Sequence, residues 1–147
     1  MAMIVYDIID STKLSDDIKK FLVDFIFENL GEFTDDKVSI MTCLNYITDS
    51  AYGGEVYVAK EDEKIIGVII INKTGMTKFI PENILVYVTV DSNYRGRKIG
   101  KTLMQHMMKK IRGDIALHVE PHNKTKNLFS ALGFTNKYLE MRYVKEV

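Results

Sequence analysis

The chain predicts a mixed α+β fold with one parallel strand pair, and three observations carry that reading. Apolar, largely β-branched runs recur at 4–9, 55–59, 65–71, 84–90 and 114–119. Stretches with helical periodicity lie between them. The strand at 84–90 is followed by a helix and then by another strand, and strands joined this way pair in parallel through a right-handed crossover.

The elements follow in order. Ile4 to Ile9 reads as a short strand. Thr12 to Leu30 reads as a helix with Leu14, Ile18, Phe21, Leu22, Phe25 and Ile26 on a broad apolar face, closed by Gly31 as C-cap. Thr34, Asp35 and Asp36 open a second helix, to Asp49, by cap and dipole logic, with Ile40, Met41, Leu44 and Ile47 facing inward. Gly53-Gly54 breaks the chain. Glu55–Ala59 and Ile65–Ile71 flank the polar stretch Lys60–Lys64 as a hairpin. A polar loop from Asn72 to Asn83 leads to the strand Ile84–Val90. The next helix carries the stripe Ile99, Leu103, Met107 and Ile111 and ends before Gly113. Asp114–Val119 is a strand stopped by Pro121. Asn123 caps a short helix bearing Leu128, Phe129 and Leu132, Gly133 ends it, and Phe134–Val144 is expected as a last strand. No repeat or linker interrupts the pattern, so residues 1–147 are expected to form one domain.

Composition excludes several classes. A chain of 147 residues buries about two-thirds of its surface and needs no staple. No leading signal segment and no apolar run of membrane-spanning length is present, and Cys43 is alone. A cytoplasmic location is therefore expected, with Cys43 a buried structural thiol. Three histidines and one cysteine give no metal-ligand spacing, so no metal is expected. Twenty basic and twenty acidic residues cancel, but unevenly: from Arg95 to Arg112 there are seven basic residues and no acidic one, while the first quarter is acidic. A basic end suits a polyanionic cofactor. Nucleic acid is not expected, because the chain as a whole is not basic.

The segment after the 84–90 strand is the most informative one. Arg95-Gly96-Arg97-Lys98-Ile99-Gly100-Lys101-Thr102 joins a buried strand to a helix N-terminus. Turn amides and the helix dipole make such a junction an anion cradle. It is not a nucleotide P-loop. That pattern needs four residues between its first Gly and Gly-Lys-Thr, and here three separate Gly96 from Gly100.

The junction resembles that of the GCN5-related N-acetyltransferases, the GNAT family. Their acyl-CoA turn follows a strand ending in Val and reads Tyr-Arg-Gly-x-Gly-x-Gly; here Val90 is followed by Tyr94-Arg95-Gly96-x-Lys98-x-Gly100. A second block, Leu117-His118-Val119-Glu120-Pro121-His122-Asn123 and Leu128-Phe129 through Leu132-Gly133-Phe134, follows in order. Together they span about fifty residues. The resemblance implies a mostly antiparallel central sheet with a splayed parallel pair of fourth and fifth strands, flanked by four helices. It implies acetyl-CoA as cosubstrate, held by Val88, Val90, the residues Arg95, Gly96, Arg97, Lys98, Ile99, Gly100, Lys101 and Thr102, and by Asn123 and Phe129. There are three departures. Lys98 replaces the middle glycine, which matters if φ there is positive. The stretch Asn123–Leu128 is one residue shorter than usual. Phe129 stands where the family often carries a tyrosine as general acid.

Transfer to an amine needs a donor for the developing oxyanion and a route for a proton. A backbone N–H at Val90 is the expected donor. The amine is protonated at neutral pH, with a pKa of about 10.4, so a base or a water chain must take a proton. His118 occupies the fifth-strand slot where some members carry a catalytic glutamate, and imidazole chemistry suits the task; Glu120 could orient or replace it. His106 is read as structural. The expected acceptor is a cationic amine, small molecule or peptide, steered by Glu28, Glu32, Asp35 and Asp36 near the first helix pair. A homodimer is left open, and no membrane partner is expected. The competing reading is a non-catalytic acyl-CoA-binding or sensing module on the same fold, which Phe129 keeps open.

Overall fold

Strand pairing follows the apolar runs. β1 (Ile4–Ile9), β2 (Gly54–Glu61), β3 (Lys64–Lys73), β4 (Asn83–Val90) and β5 (Ile115–Leu117) form one sheet in the order β1-β2-β3-β4-β5. Neighbours from β1 to β4 run antiparallel, and β4 with β5 is the parallel pair. The helices are α1 (Asp16–Leu30), α2 (Lys37–Asp49), α3 (Ile99–Lys110) and α4 (Thr125–Ala131). This computed structural model describes residues 3–146; positions 1, 2 and 147, which the expected domain includes, lie outside the described residues. The chain divides into two compact units, one ending at Leu117 and the other beginning at His118.

The first unit is a three-layer arrangement. β3 is central, and its run Ile66–Ile71 is buried throughout, as expected of a strand covered on both faces. One face meets α1 and α2: Leu22, Ile26, Ile40, Leu44 and Ile47 pack with Val56, Val58, Val68, Ile70 and Tyr87. The opposite face meets α3. A methyl at Gly67 would touch Leu103 at 3.3 Å and Ile99 at 3.7 Å, and Tyr57 meets His106 edge-on. Buried Lys19 ties α1 to α2 by donating to Asn45 Oδ1 at 3.0 Å and Thr48 Oγ1 at 2.7 Å.

Several boundaries move for local reasons. The first helix was expected from Thr12, but Asp10 caps a separate 3-10 turn at Ser11–Lys13, and Ser15 then caps α1 through Ile18 N–H. Ser15 followed by Asp16 and Asp17 is the stronger start, because both acids face the positive helix end. Asp36 alone caps α2, accepting from Ser39 N–H at 2.7 Å. The hairpin turn narrows to Asp62-Glu63, both at positive φ (49° and 68°), as a two-residue primed turn requires. α3 ends at Lys110 with Ile111 as its C-cap.

The second unit holds α4, which begins at Thr125 rather than at Asn123. Asn123 still serves its start, because its Oδ1 accepts from Thr125 N–H at 3.0 Å. Gly133 closes it at φ 102°. The expected strand at Phe134–Val144 is absent; these residues carry no regular secondary structure. Tyr138, Leu139, Met141 and Tyr143 are all exposed. Tyr138 and Leu139 break the alternation, β-branched residues are few, and a strand without a partner gains nothing for its backbone groups. β5 is likewise three residues, half the expected length.

Asn83 fixes where the parallel pair starts. Its amide is fully buried, donates to the carbonyls of Arg112 at 2.8 Å and Asp114 at 3.1 Å, and accepts from Lys73 Nζ at 3.1 Å. Asn83→Leu removes the amide from the Arg112 carbonyl, while the Asp114 carbonyl keeps the backbone N–H of residue 83 at 3.1 Å and Lys73 keeps Glu55 at 3.1 Å. We expect it to lower unfolding free energy by about 1–3 kcal/mol, read as a reduced urea midpoint at unchanged m-value.

Candidate functional site

β4 has two edges with different fates. On the β3 side it is paired from Asn83 to Leu85 and from Tyr87 to Val90, with a register shift at Val86. On the β5 side pairing covers only Asn83, Ile84 and Leu85. Beyond Leu85 that edge faces no strand. Which residues turn their backbone groups to it follows from one bond: Asp91 N–H donates to the Ile66 carbonyl at 2.8 Å, toward β3. Groups alternate along an antiparallel pair, so Val90 and Val88 direct their N–H and C=O outward. Two residues with unmatched donors and acceptors can take a strand-like ligand by backbone hydrogen bonds.

The β4–α3 turn is built beside this edge. Asp91 caps the 3-10 turn Ser92–Tyr94 through Asn93 N–H. Gly96 has φ 81° and nothing within 4 Å of the space its side chain would fill. Lys98 is the N-cap of α3 in the left-handed conformation, φ 61° and ψ 21°, and no side chain caps the helix. Thr102 N–H is the first amide bonded back, to the Lys98 carbonyl at 3.0 Å. The amides of Ile99, Gly100 and Lys101 are therefore the uncapped donors of a helix N-terminus. Gly100 leaves its methyl-sized space 3.5 Å from Val90 Cγ2, so turn and strand are in van der Waals contact. Amides, dipole and the cations Lys98 and Lys101 fit a pyrophosphate, and the open β4 edge fits an amide-bearing chain attached to it.

The turn's two arginines are engaged with the protein. Arg97 lies over the Tyr94 ring at 5.0 Å, Lys64 covers the same ring at 5.3 Å, and Tyr94 Oη donates to Glu61 at 3.0 Å. That bond raises the Tyr94 pKa. Arg95 Nη2 donates to the Asn29 carbonyl, and Ser92 N–H donates to Asn29 Oδ1 at 2.9 Å. The α1 C-terminus thus receives a cation at its negative end. Asn29 carries no motif, and only the tertiary structure brings it here.

The face of β4 toward α1 and α2 carries a second polar feature. Tyr87 Oη donates to Asp35 Oδ2 at 2.6 Å. Burial, then this carboxylate, push the phenol pKa far up, which leaves Tyr87 a packed tie and a poor acid. Thr89 on the same face keeps a buried hydroxyl with no hydrogen-bond partner among the described residues. Glu28, Glu32, Asp35 and Asp36 are exposed around the α1–α2 turn. Among the described residues no lysine or arginine pairs with Asp35; Asp24 is held by Lys37 at 3.0 Å.

A family model described as an acetyltransferase (GNAT) domain matches residues 52–136. The chain belongs to the GNAT acetyltransferase family. Solved structures share its fold. A possible acetyltransferase from Clostridium difficile 630 is 20% identical, with 98% of each chain covered and a TM-score of 0.67. The aminoglycoside N-acetyltransferase AAC(6')-Iy, solved with CoA, is 16% identical, covers 100% of this chain and 97% of its own, and has a TM-score of 0.70. The NatC complex bound to Gag peptide and CoA is 22% identical over 90% of this chain and 84% of its own, with a TM-score of 0.65. None of the curated proteins matches in sequence.

Placed on the GNAT fold, the expected site residues fall into two sets. Val88, Val90 and Arg95 to Thr102 meet in the first unit. His118, Glu120, Asn123 and Phe129 belong to the second. His118 directly follows the last residue of β5 and is exposed, as is Glu120. Glu120 Oε1 accepts from Asn123 Nδ2 at 3.2 Å. Phe129 is buried, with its ring 5.9 Å from that of Phe134. His106 sits among the rings of Tyr6 and Tyr57, and burial lowers its pKa. Cys43 is buried, its thiol pushed up to about 12 by burial, and its Sγ lies 3.4 Å from Asn72 Oδ1; it is no nucleophile. Among the described residues no group of acids, histidines and cysteine could hold a metal, and no helix is long and apolar enough to cross a membrane.

Lys98 is the GNAT glycine position occupied by a side chain at positive φ. A left-handed residue with a Cβ costs about 1–2 kcal/mol, and a β-branched one is worse off still. Lys98→Gly should therefore hold or raise the melting temperature, and Lys98→Val should lower stability by about 1 kcal/mol or more. Paired thermal melts check both signs.

Proposed function

We propose that this GNAT member moves an acetyl group from acetyl-CoA to a primary, cationic amine by direct attack in a ternary complex, in the cytoplasm. The observation that carries the reading is the open β4 edge beside an uncapped helix N-terminus: strand-like donors and acceptors at Val88 and Val90, then phosphate donors at Ile99, Gly100 and Lys101. Structural neighbours crystallised with CoA, AAC(6')-Iy and the NatC complex, support the same cosubstrate.

Bound acetyl-CoA supplies an acyl group activated as a thioester. Val90 N–H, directed out of the sheet, donates to the acyl oxygen where negative charge develops. The turn amides hold the pyrophosphate, with Lys98 and Lys101 adding charge. His118 takes the proton that the ammonium must lose, with Glu120 as orienting or substitute base. Phe129 has no proton to give, so protonation of the departing thiolate falls to water. A thiol with pKa of about 8.5 leaves without strong acid help.

The acceptor reading rests on Glu28, Glu32, Asp35 and Asp36. Asp36 is committed to capping α2, whereas among the described residues the Asp35 carboxylate is met by the Tyr87 hydroxyl alone. Exposed charges of this kind steer a cation more than they grip it. One structural neighbour is an aminoglycoside acetyltransferase from an uncultured soil metagenomic sample, solved in complex with sisomicin. The sensing-module alternative is favoured by Phe129 alone.

Two measurements test the proposal. Gly100→Glu sets a carboxylate against the pyrophosphate and fills the space beside Val90. Calorimetry should find acetyl-CoA affinity reduced by at least about tenfold, since one charge-assisted contact is worth about 1.5–3 kcal/mol; unchanged affinity misplaces the cradle. Steady-state thiol release across a panel of mono- and polycationic amines then separates enzyme from sensor. His118→Ala should lower kcat by about 10²–10⁴ with acetyl-CoA affinity retained, and an unchanged pH–rate profile moves the role to Glu120 or water.

A further inference from the structure

The turn that would hold acyl-CoA is fastened to α1 through Asn29. Asn29 lies in the last turn of α1, with its side-chain donor turned back onto the helix and its side-chain oxygen and carbonyl turned to the β4–α3 turn. Its Nδ2 donates to the Phe25 carbonyl at 2.9 Å. Its Oδ1 accepts from Ser92 N–H at 2.9 Å, and its carbonyl accepts from Arg95 Nη2. These bonds depend on one another. An amide side chain has one donating and one accepting end, and the Phe25 carbonyl takes the donating end. That fixes the flip, so Oδ1 is the end presented to Ser92. Ser92 opens the turn, and Arg95 lies one residue before Gly96. Both bonds therefore act on the segment that sets where the α3 amides stand relative to the β4 edge. The opposite side of the turn is held by Tyr94, between Lys64 and Arg97 and bonded to Glu61.

We propose that Asn29 is a positioning residue for the acyl-CoA turn. It touches neither reacting atoms nor cosubstrate. It holds Ser92 and Arg95 so that the turn has its binding shape before a ligand arrives, which lowers the ordering cost of binding. It also holds the Arg95 guanidinium on the α1 end and leaves phosphate charge to Lys98 and Lys101. An aspartate at this position keeps an oxygen for Ser92 N–H, and its added charge lies next to Arg95. An alanine keeps only the backbone bond to Arg95. The inference rests on the reading that this turn binds acyl-CoA.

The test compares wild type, Asn29→Ala and Asn29→Asp, with acetyl-CoA as ligand. Calorimetric Kd and the acetyl-CoA KM should rise about five- to tenfold in Asn29→Ala, with kcat at saturating acetyl-CoA within twofold of wild type. Hydrogen exchange of the Ser92 amide should quicken in the ligand-free alanine variant. Asn29→Asp should recover most of the affinity and the amide protection. A role limited to closing α1 through Phe25 predicts the reverse: both variants lose the Nδ2 donor, both melt lower, and neither changes Kd. Wild-type affinity in Asn29→Ala overturns the positioning role and leaves the acyl-CoA reading intact. A wild-type chain that binds no acetyl-CoA overturns that reading and the Asn29 role together.

Discussion

The shortness of β5 is the constraint on which the rest of the structure depends. A parallel partner of full length would pair β4 to its end and use up the groups of Val88 and Val90. Instead β5 is three residues long and stops at Leu117, and β4 continues alone on that side to Val90. A half-paired strand inside a sheet is costly unless something else satisfies it. Asn83 fixes the paired end by gathering the Arg112 and Asp114 carbonyls. The open end is where a ligand with its own amides gains most.

The β4–α3 turn shows how charge and geometry divide the work. Four cations follow Val90 in close succession, and in sequence they look equivalent. In the fold they are not. Arg95 is spent on the α1 C-terminus and Arg97 on the Tyr94 ring, whereas Lys98 and Lys101 lie on the first turn of α3. The arginines suit their task because a planar guanidinium stacks and forks, while lysine is a mobile point charge. The strained residue falls in the same place. Lys98 accepts positive φ where a glycine would adopt it freely, and local strain of this kind gathers at functional turns.

The α1–α2 turn rests on a weaker and more exposed kind of order. Asp35 and Tyr87 join the α1–α2 turn to β4 across 52 residues of sequence. That bond fixes the wall near the open edge without closing it. The surrounding carboxylates face solvent, where a charge is felt within about a Debye length of 8–10 Å.

Much of this was legible along the chain. The helices at α1, α2 and α3, the hairpin at Asp62-Glu63 and the strand-turn-helix at Val90–Gly100 are local patterns, decided by periodicity, caps and turn residues within a few positions. The same is true of the GNAT turn, whose glycines and cations are contiguous. What the chain could not disclose involved partners distant in sequence. Phe134–Val144 reads as a strand, yet no edge takes it up. Asp114–Val119 reads as six residues of strand and pairs over three. Asn29 looks like an ordinary helix-end residue until Ser92 and Arg95 arrive, 63 and 66 positions later. Sequence by itself determined the helices, the strands through β4 and the parallel crossover, because each is set by neighbouring residues. Tertiary structure alone decided which arginines are occupied, which β4 groups are free and that Lys98 is left-handed, because pairing and backbone strain depend on what the folded chain places opposite each group.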